Sequence, residues 1–142
     1  NLRVTPQGRP EDVEARLANL PAPARLLFFT QTFGCDTCLP ARQVANQIAS
    51  FSDQITVEEY NLVLDKEKVA EYGIDKVPAI AVVGAEDLGL RYYGVPAGYE
   101  LGALVDAIEL AVGGDPVLST ESVSALAALD RAVNIQVFVT PT

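Results

Sequence analysis

The stretch FFTQTFGCDTCLPARQ, Phe28 to Gln43, holds the only two cysteines of a 142-residue chain, three positions apart at Cys35 and Cys38. Two thiols at that spacing can close a disulfide, supply half of a metal site, or fill space as small apolar side chains. The redox use requires a particular seat. Residues three apart at the start of a helix lie within the Cα separation that a disulfide tolerates. The free backbone N–H groups and the dipole of that end also favour a thiolate over a thiol. Cys35, at or just before the first helical turn, is then the attacking sulfur near neutral pH. Cys38, deeper in the helix, is the resolving thiol that attacks the mixed disulfide formed between Cys35 and a substrate.

The other uses meet obstacles. Structural zinc takes four ligands, and the chain has no second cysteine pair and no histidine, so a closed site within one chain cannot be built. A site shared across a dimer stays open. Two inert core cysteines sit poorly with the polar, loop-like flank of Gln31, Thr32, Gly34, Asp36 and Thr37. The missing histidine also removes every Cys–His and Ser–His nucleophile pair.

Composition narrows the field further. Apolar residues make up 49% and charged residues 20% of the chain, which is globular composition on a length that buries a core without staples. A formal net charge of −9 without a basic stripe repels phosphate backbones, so nucleic acid is not an expected partner. No apolar run approaches the roughly 20 residues of a membrane helix, so no membrane partner is expected either. Asn1 to Leu20 lacks the basic and apolar regions of a secretory signal, and the expected compartment is the cytoplasm. The absence of methionine implies a removed initiator or a trimmed chain.

The elements that must position the pair follow from periodicity. Arg9-Pro10 and the acidic turn Glu11, Asp12, Glu14 open a helix with Val13, Leu17 and Leu20 on one face, which Pro21-Ala22-Pro23 ends. Leu26-Leu27-Phe28-Phe29 reads as a strand buried on both faces. Ala41, Val44, Ala45, Ile48 and Phe51 mark a second helix, with Pro40 tolerated in its first turn. Ile55 to Asn61 reads as a strand. Asp65 caps a short helix carrying Val69 and Tyr72 that Gly73 terminates. Ala79 to Val83 and Leu90 to Tyr93 form a hairpin, and Leu101, Leu104, Val105, Ile108 and Val112 stripe a further helix. The expected fold class is therefore α/β. A mixed sheet has helices on both faces and the Cys-x-x-Cys at a helix N-terminus, the thioredoxin-like topology.

Three segments carry a more specific likeness: Cys35-Asp36-Thr37-Cys38 with Pro40, Tyr72-Gly73-Ile74-Asp75-Lys76-Val77-Pro78-Ala79, and Arg91-Tyr92-Tyr93-Gly94-Val95-Pro96-Ala97-Gly98. With them the chain resembles the glutaredoxin-like protein disulfide oxidoreductases, proteins of two fused thioredoxin-fold units, and matches the N-terminal unit. The resemblance implies a thiol–disulfide oxidoreductase that reduces or exchanges protein disulfides. It needs no bound cofactor beyond the redox-active Cys35–Cys38 disulfide, and a thioredoxin reductase-like flavoprotein supplies it with electrons from NADPH. It also implies a cis Pro78 facing the active-site disulfide, with the Val77 backbone pairing to an extended substrate segment. In one respect the chain departs from thioredoxins, which carry a buried carboxylate on the strand before the motif. Here that strand is apolar, and Asp36 is the candidate acid on proximity alone.

Two other functions fit the same residues. One is the N-terminal relay domain of an alkyl hydroperoxide reductase flavoprotein subunit. The other is a thioredoxin-like docking module whose disulfide is only structural. Asp36-Thr37 between the cysteines disfavours a thiolate relative to a basic or aromatic pair, so a reducing centre is expected. The C-terminal part carries its own signal, because Val137-Phe138-Val139-Thr140-Pro141-Thr142 repeats Leu27-Phe28-Phe29-Thr30-Gln31-Thr32 in kind. Residues 1–116 are read as one thioredoxin-like unit. Residues 117–142 are read as a linking helix and the first strand of a second, truncated unit. The helix, Ser119 to Ala132, is expected to pack on the first unit through Val123 and Leu126. The strand, Ile135 to Thr140, is expected to pair with a sheet edge in its own chain or across a dimer, or else to be disordered.

Overall fold

A run of five wholly buried residues, Leu26 to Thr30, dictates the centre of the molecule. A strand with no exposed face must lie inside a sheet covered on both sides. In the computed structural model, which describes residues 10–140, that strand is β1 (Ala24–Thr30). It pairs in parallel with β2 (Ile55–Asn61) and antiparallel with β3 (Ala79–Val83), and β3 pairs antiparallel with β4 (Leu90–Tyr93). The sheet order is β2-β1-β3-β4. Asn1 to Arg9 and the Pro141-Thr142 end of the repeated strand motif lie outside the described residues.

Side chains alternate between two cores, as the two-residue period of a strand requires. Leu26 and Phe28 join Ile80 and Val82 on one face, under α1 (Pro10–Leu17), α2 (Cys38–Ser50) and α4 (Tyr99–Ala111). Leu27 and Phe29 join Ala79, Ala81 and Val83 on the other, where α3 (Lys66–Glu71) and the chain after it contribute Val69, Tyr72 and Ile74. The mixed sheet with helices on both faces is as the residue pattern requires.

Polar ties fix the helices at their exposed flanks. Arg16 of α1 donates a fork of hydrogen bonds to Glu109 of α4, 3.0 Å from Nε and 2.6 Å from Nη2. Tyr92 of β4 donates to Glu100 of α4 at 2.7 Å, and Arg91 Nε donates to the Tyr72 carbonyl at 2.9 Å. On the α3 side of the sheet, Arg25 of β1 holds both carboxylate oxygens of Glu58 on β2, at 2.7 and 3.0 Å. Tyr60 donates to the same carboxylate at 2.8 Å.

These donors hold the Glu58 carboxyl down, first through Arg25 and then through Tyr60, to about 2 against an ordinary 4.5. A folded-state value below the unfolded one gives stability that is complete above the ordinary carboxylate range. That stability is lost as pH falls through the folded value. The side chains of the pair are 39% and 33% exposed, and solvent screening limits its worth to about 1 kcal/mol. Glu58→Gln is therefore expected to flatten the loss of stability between pH 4.5 and about 2, as read by denaturant unfolding at a series of pH values.

The C-terminal helix departs from expectation in extent and packing. This helix, α5, spans Thr120–Ala127, ending well short of Ala132, and Ser119 caps it by accepting from the Ser122 N–H at 3.1 Å. Val123 and Leu126 are each 50% exposed, so the helix does not seat them on the preceding unit. From Ile135 to Thr140 the chain forms no paired strand, and Ile135, Val137, Phe138 and Val139 all stand in solvent. Strand formation needs a partner edge, and nothing among the described residues supplies one to this segment.

Candidate active site

The motif occupies the corner between the end of β1 and the start of α2. Gly34 makes the turn: its φ of +73° lies in the region that other residues enter only at a cost, and its carbonyl accepts from Gln31 Nε2 at 3.3 Å. Cys35 follows as the last residue before a tight turn that its own carbonyl closes, accepting from Cys38 N at 3.4 Å. Thr37 is the N-cap, and Cys38 is the first residue of α2 rather than a residue deeper inside it. Both sulfurs therefore lie at the positive end of the helix dipole. Pro40 stands in the first turn, where its missing N–H costs nothing, and the regular ladder begins with Ala41 N to Thr37 O at 3.1 Å.

The two sulfurs are joined, 1.98 Å apart, with Cα atoms separated by 5.4 Å. Their environments differ. Cys38 is 5% exposed, whereas Cys35 is only half-buried and reaches the surface between the exposed Phe33, Asp36 and Thr37. Beside them lies an open depression of about 510 Å³. Thr30 to Thr32, both cysteines, Leu39 and Arg42 form one wall, and Glu59, Asn61 and Asp65 form the other.

Sequence reading gave no site role to Arg42, Glu59 or Asp65. Glu59 shares the α2-facing parity of Ile55 and Val57 on β2, and it accepts from Arg42 Nη2 at 2.7 Å. Asp65 stands at the N-cap position of α3, yet its carboxylate accepts from the Asn61 N–H at 2.6 Å instead of capping that helix. Only the parallel β1–β2 register brings both acids to the cysteines, and no local signal encodes it.

The peptide between Val77 and Pro78 is cis. Pro78 is buried, Val77 is half-buried, and the Pro78 carbonyl accepts from Gly94 N at 3.0 Å. Phe29 pairs with Ala79, so this segment stands at the same end of the sheet as the motif that follows β1. Val77 and Pro78 do not line the depression itself.

A half-buried cysteine that reaches the surface and a buried one, closed in a disulfide at a helix start, form a dithiol couple that can pass two electrons to or from another thiol pair. No family model matches the chain. It is 38% identical over 68 residues to a probable thioredoxin of Methanothermobacter thermautotrophicus, covering 47% of this chain and 75% of that one. It is also 38% identical over 77 residues to a probable thioredoxin of Methanothermobacter marburgensis, covering 53% and 86%. Among solved structures, a protein disulfide oxidoreductase from Aeropyrum pernix matches with a TM-score of 0.70 at 25% identity, over 84% of this chain and 53% of that one. The N-terminal N/C domain of the alkylhydroperoxide reductase AhpF from Enterococcus faecalis matches with a TM-score of 0.72 at 25% identity, over 82% and 57%. The chain thus spans little more than half the length of these two solved proteins. On the sequence relationship, the fold and the Cys35–Cys38 disulfide together, the chain belongs to the thioredoxin family.

Proposed function

We propose that this thiol–disulfide oxidoreductase acts on disulfides of other proteins, with Cys35 attacking and Cys38 resolving. The observation that carries the proposal is the unequal access of the two sulfurs: only Cys35 is open to a bulky partner. In the reducing direction the Cys35 thiolate attacks one sulfur of the substrate disulfide, and the other leaves as a thiolate. The Cys38 thiolate then attacks Cys35 in the mixed disulfide. The substrate is released as a dithiol, and the Cys35–Cys38 bond takes up the oxidation. Val77 and Pro78 are assigned to substrate binding, the Val77 backbone pairing with an extended segment beside the disulfide. Their position at the motif's end of the sheet supports this role.

The finer reading is a glutaredoxin-like enzyme of the cytoplasm, with a thioredoxin reductase-like flavoprotein delivering electrons from NADPH and no organic cofactor bound to this unit. Residues 117–142 are then the linking helix and first strand of a second thioredoxin-like unit, a reading supported by their uncovered apolar side chains. The match to the AhpF domain favours one alternative, a relay unit of a peroxide-reducing flavoprotein. Insulin reduction driven by dithiothreitol tests the main proposal. The chain is expected to accelerate precipitation of the insulin B chain well above the dithiothreitol background. A rate equal to that background would leave only a docking module with a structural disulfide.

A further inference from the structure

Resolution requires Cys38 to ionise while 95% buried, and burial raises the pH at which a thiol loses its proton. One side chain is placed to oppose that penalty. Arg42 stands four residues after Cys38 on α2, so the two are neighbours on one helical face. It is the only cation among the residues that line the depression, where Glu59 faces it from β2 and Asp65 from the segment before α3. Asp36 adds a further exposed negative charge in the turn between the cysteines. Glu59 anchors Arg42 through Nη2, whereas Asp65 is occupied by the Asn61 N–H. The Arg42 Nε–H is buried and meets no acceptor among the described residues, so this buried donor is left without a partner.

We infer that Arg42, held in place by Glu59, is a positioning residue that sets the acidity of the resolving thiol. The inference rests on the assignment of Cys38 as the resolving sulfur. When Cys35 is engaged in a mixed disulfide, Cys38 is freed and loses its proton to solvent through the open depression. The guanidinium stabilises the thiolate left behind. That thiolate forms the Cys35–Cys38 bond and expels the substrate sulfur with the electron pair of the broken bond. Glu59 acts in the opposite sense by electrostatics, since a carboxylate near a thiol disfavours its ionisation.

Opposite signs make the test. In a Cys35→Ser background, iodoacetamide alkylation followed against pH titrates Cys38 alone. An opposite charge within a few ångströms shifts a titration by about one to three pH units, and partial exposure of the pair points to the low end. Arg42→Gln is expected to move the Cys38 titration up by about one pH unit, and Glu59→Gln to move it down. Arg42→Lys should restore part of the loss, and the double replacement should fall between the two single ones. With Cys35 present, Arg42→Gln should slow resolution at neutral pH about threefold. About tenfold less thiolate is partly offset by its greater nucleophilicity. Unchanged titrations, or shifts of Arg42→Gln and Glu59→Gln in the same direction, would overturn the inference. If Arg42→Gln fails to fold by circular dichroism, Arg42→Lys and Glu59→Gln decide on the same criterion of opposite signs. Alkylation needs no disulfide substrate, so this outcome is separable from the outcome of the insulin assay.

Discussion

Cys35→Ser is expected to bring insulin reduction down to the dithiothreitol background, while Cys38→Ser keeps the first attack and stalls after it. The difference follows from geometry. Cys35 precedes the helix and is half open to solvent, whereas Cys38 is the first helical residue and 5% exposed. A protein disulfide can reach only the first sulfur without unfolding of the corner. Without Cys38 the mixed disulfide has no internal nucleophile, so a covalent adduct with substrate should accumulate and survive non-reducing electrophoresis. In the reduced wild-type protein, brief iodoacetamide treatment should label Cys35 ahead of Cys38 by about tenfold or more, because Cys35 reaches solvent and burial disfavours the Cys38 thiolate. Preferential labelling of Cys38, or an adduct trapped by Cys35→Ser instead, would reverse the assigned roles.

What the residues disclosed by themselves depends on how local the cause is. The run Leu26 to Phe29 announced a strand with two buried faces, and its side chains do divide between two cores. The cysteine spacing and the polar flank announced a helix-start disulfide, and the bond is there. Long-range effects were harder to read. The carboxylate pair Glu58-Glu59 sits in a stretch whose alternation marks a strand but not which acid faces which helix. The β1–β2 register sends Glu58 to Arg25 on one face and Glu59 to Arg42 on the other. Asp65 was legible as a cap position, but its carboxylate has a choice of donors and takes the Asn61 N–H. The apolar sequence Val137-Phe138-Val139 has strand propensity without a partner edge. Propensity alone does not satisfy a backbone.

Gly84→Ala is expected to be the most damaging single-methyl change in the sheet. Gly84 follows the last residue of β3, where the C-terminal end of α4 crosses it. A Cβ built there would stand 1.8 Å from the Ala111 carbonyl oxygen and 2.7 Å from its carbon. Both atoms are backbone, so no rotamer change relieves the overlap. Either the end of β3 or the last turn of α4 must move. That turn follows Leu104, Val105 and Ile108, which are buried against the sheet, so displacing it loosens the larger of the two cores. Overpacking of a rigid site costs about 1–3 kcal/mol and more where backbone must shift, which puts the expected loss at about 3 kcal/mol. In thermal melting this is a drop on the order of 10 °C for a domain of this size. Gly102→Ala supplies the opposite sign within the same helix. Its Cβ would meet nothing within 4 Å, and replacing a helix-interior glycine by alanine stabilises by about 0.5–1 kcal/mol. A Gly84→Ala protein that melts with the wild type would mean that α4 does not cross β3 as closely as described. The tether from Tyr92, on the hairpin beside Pro78, to Glu100 of α4 would then lose its foundation.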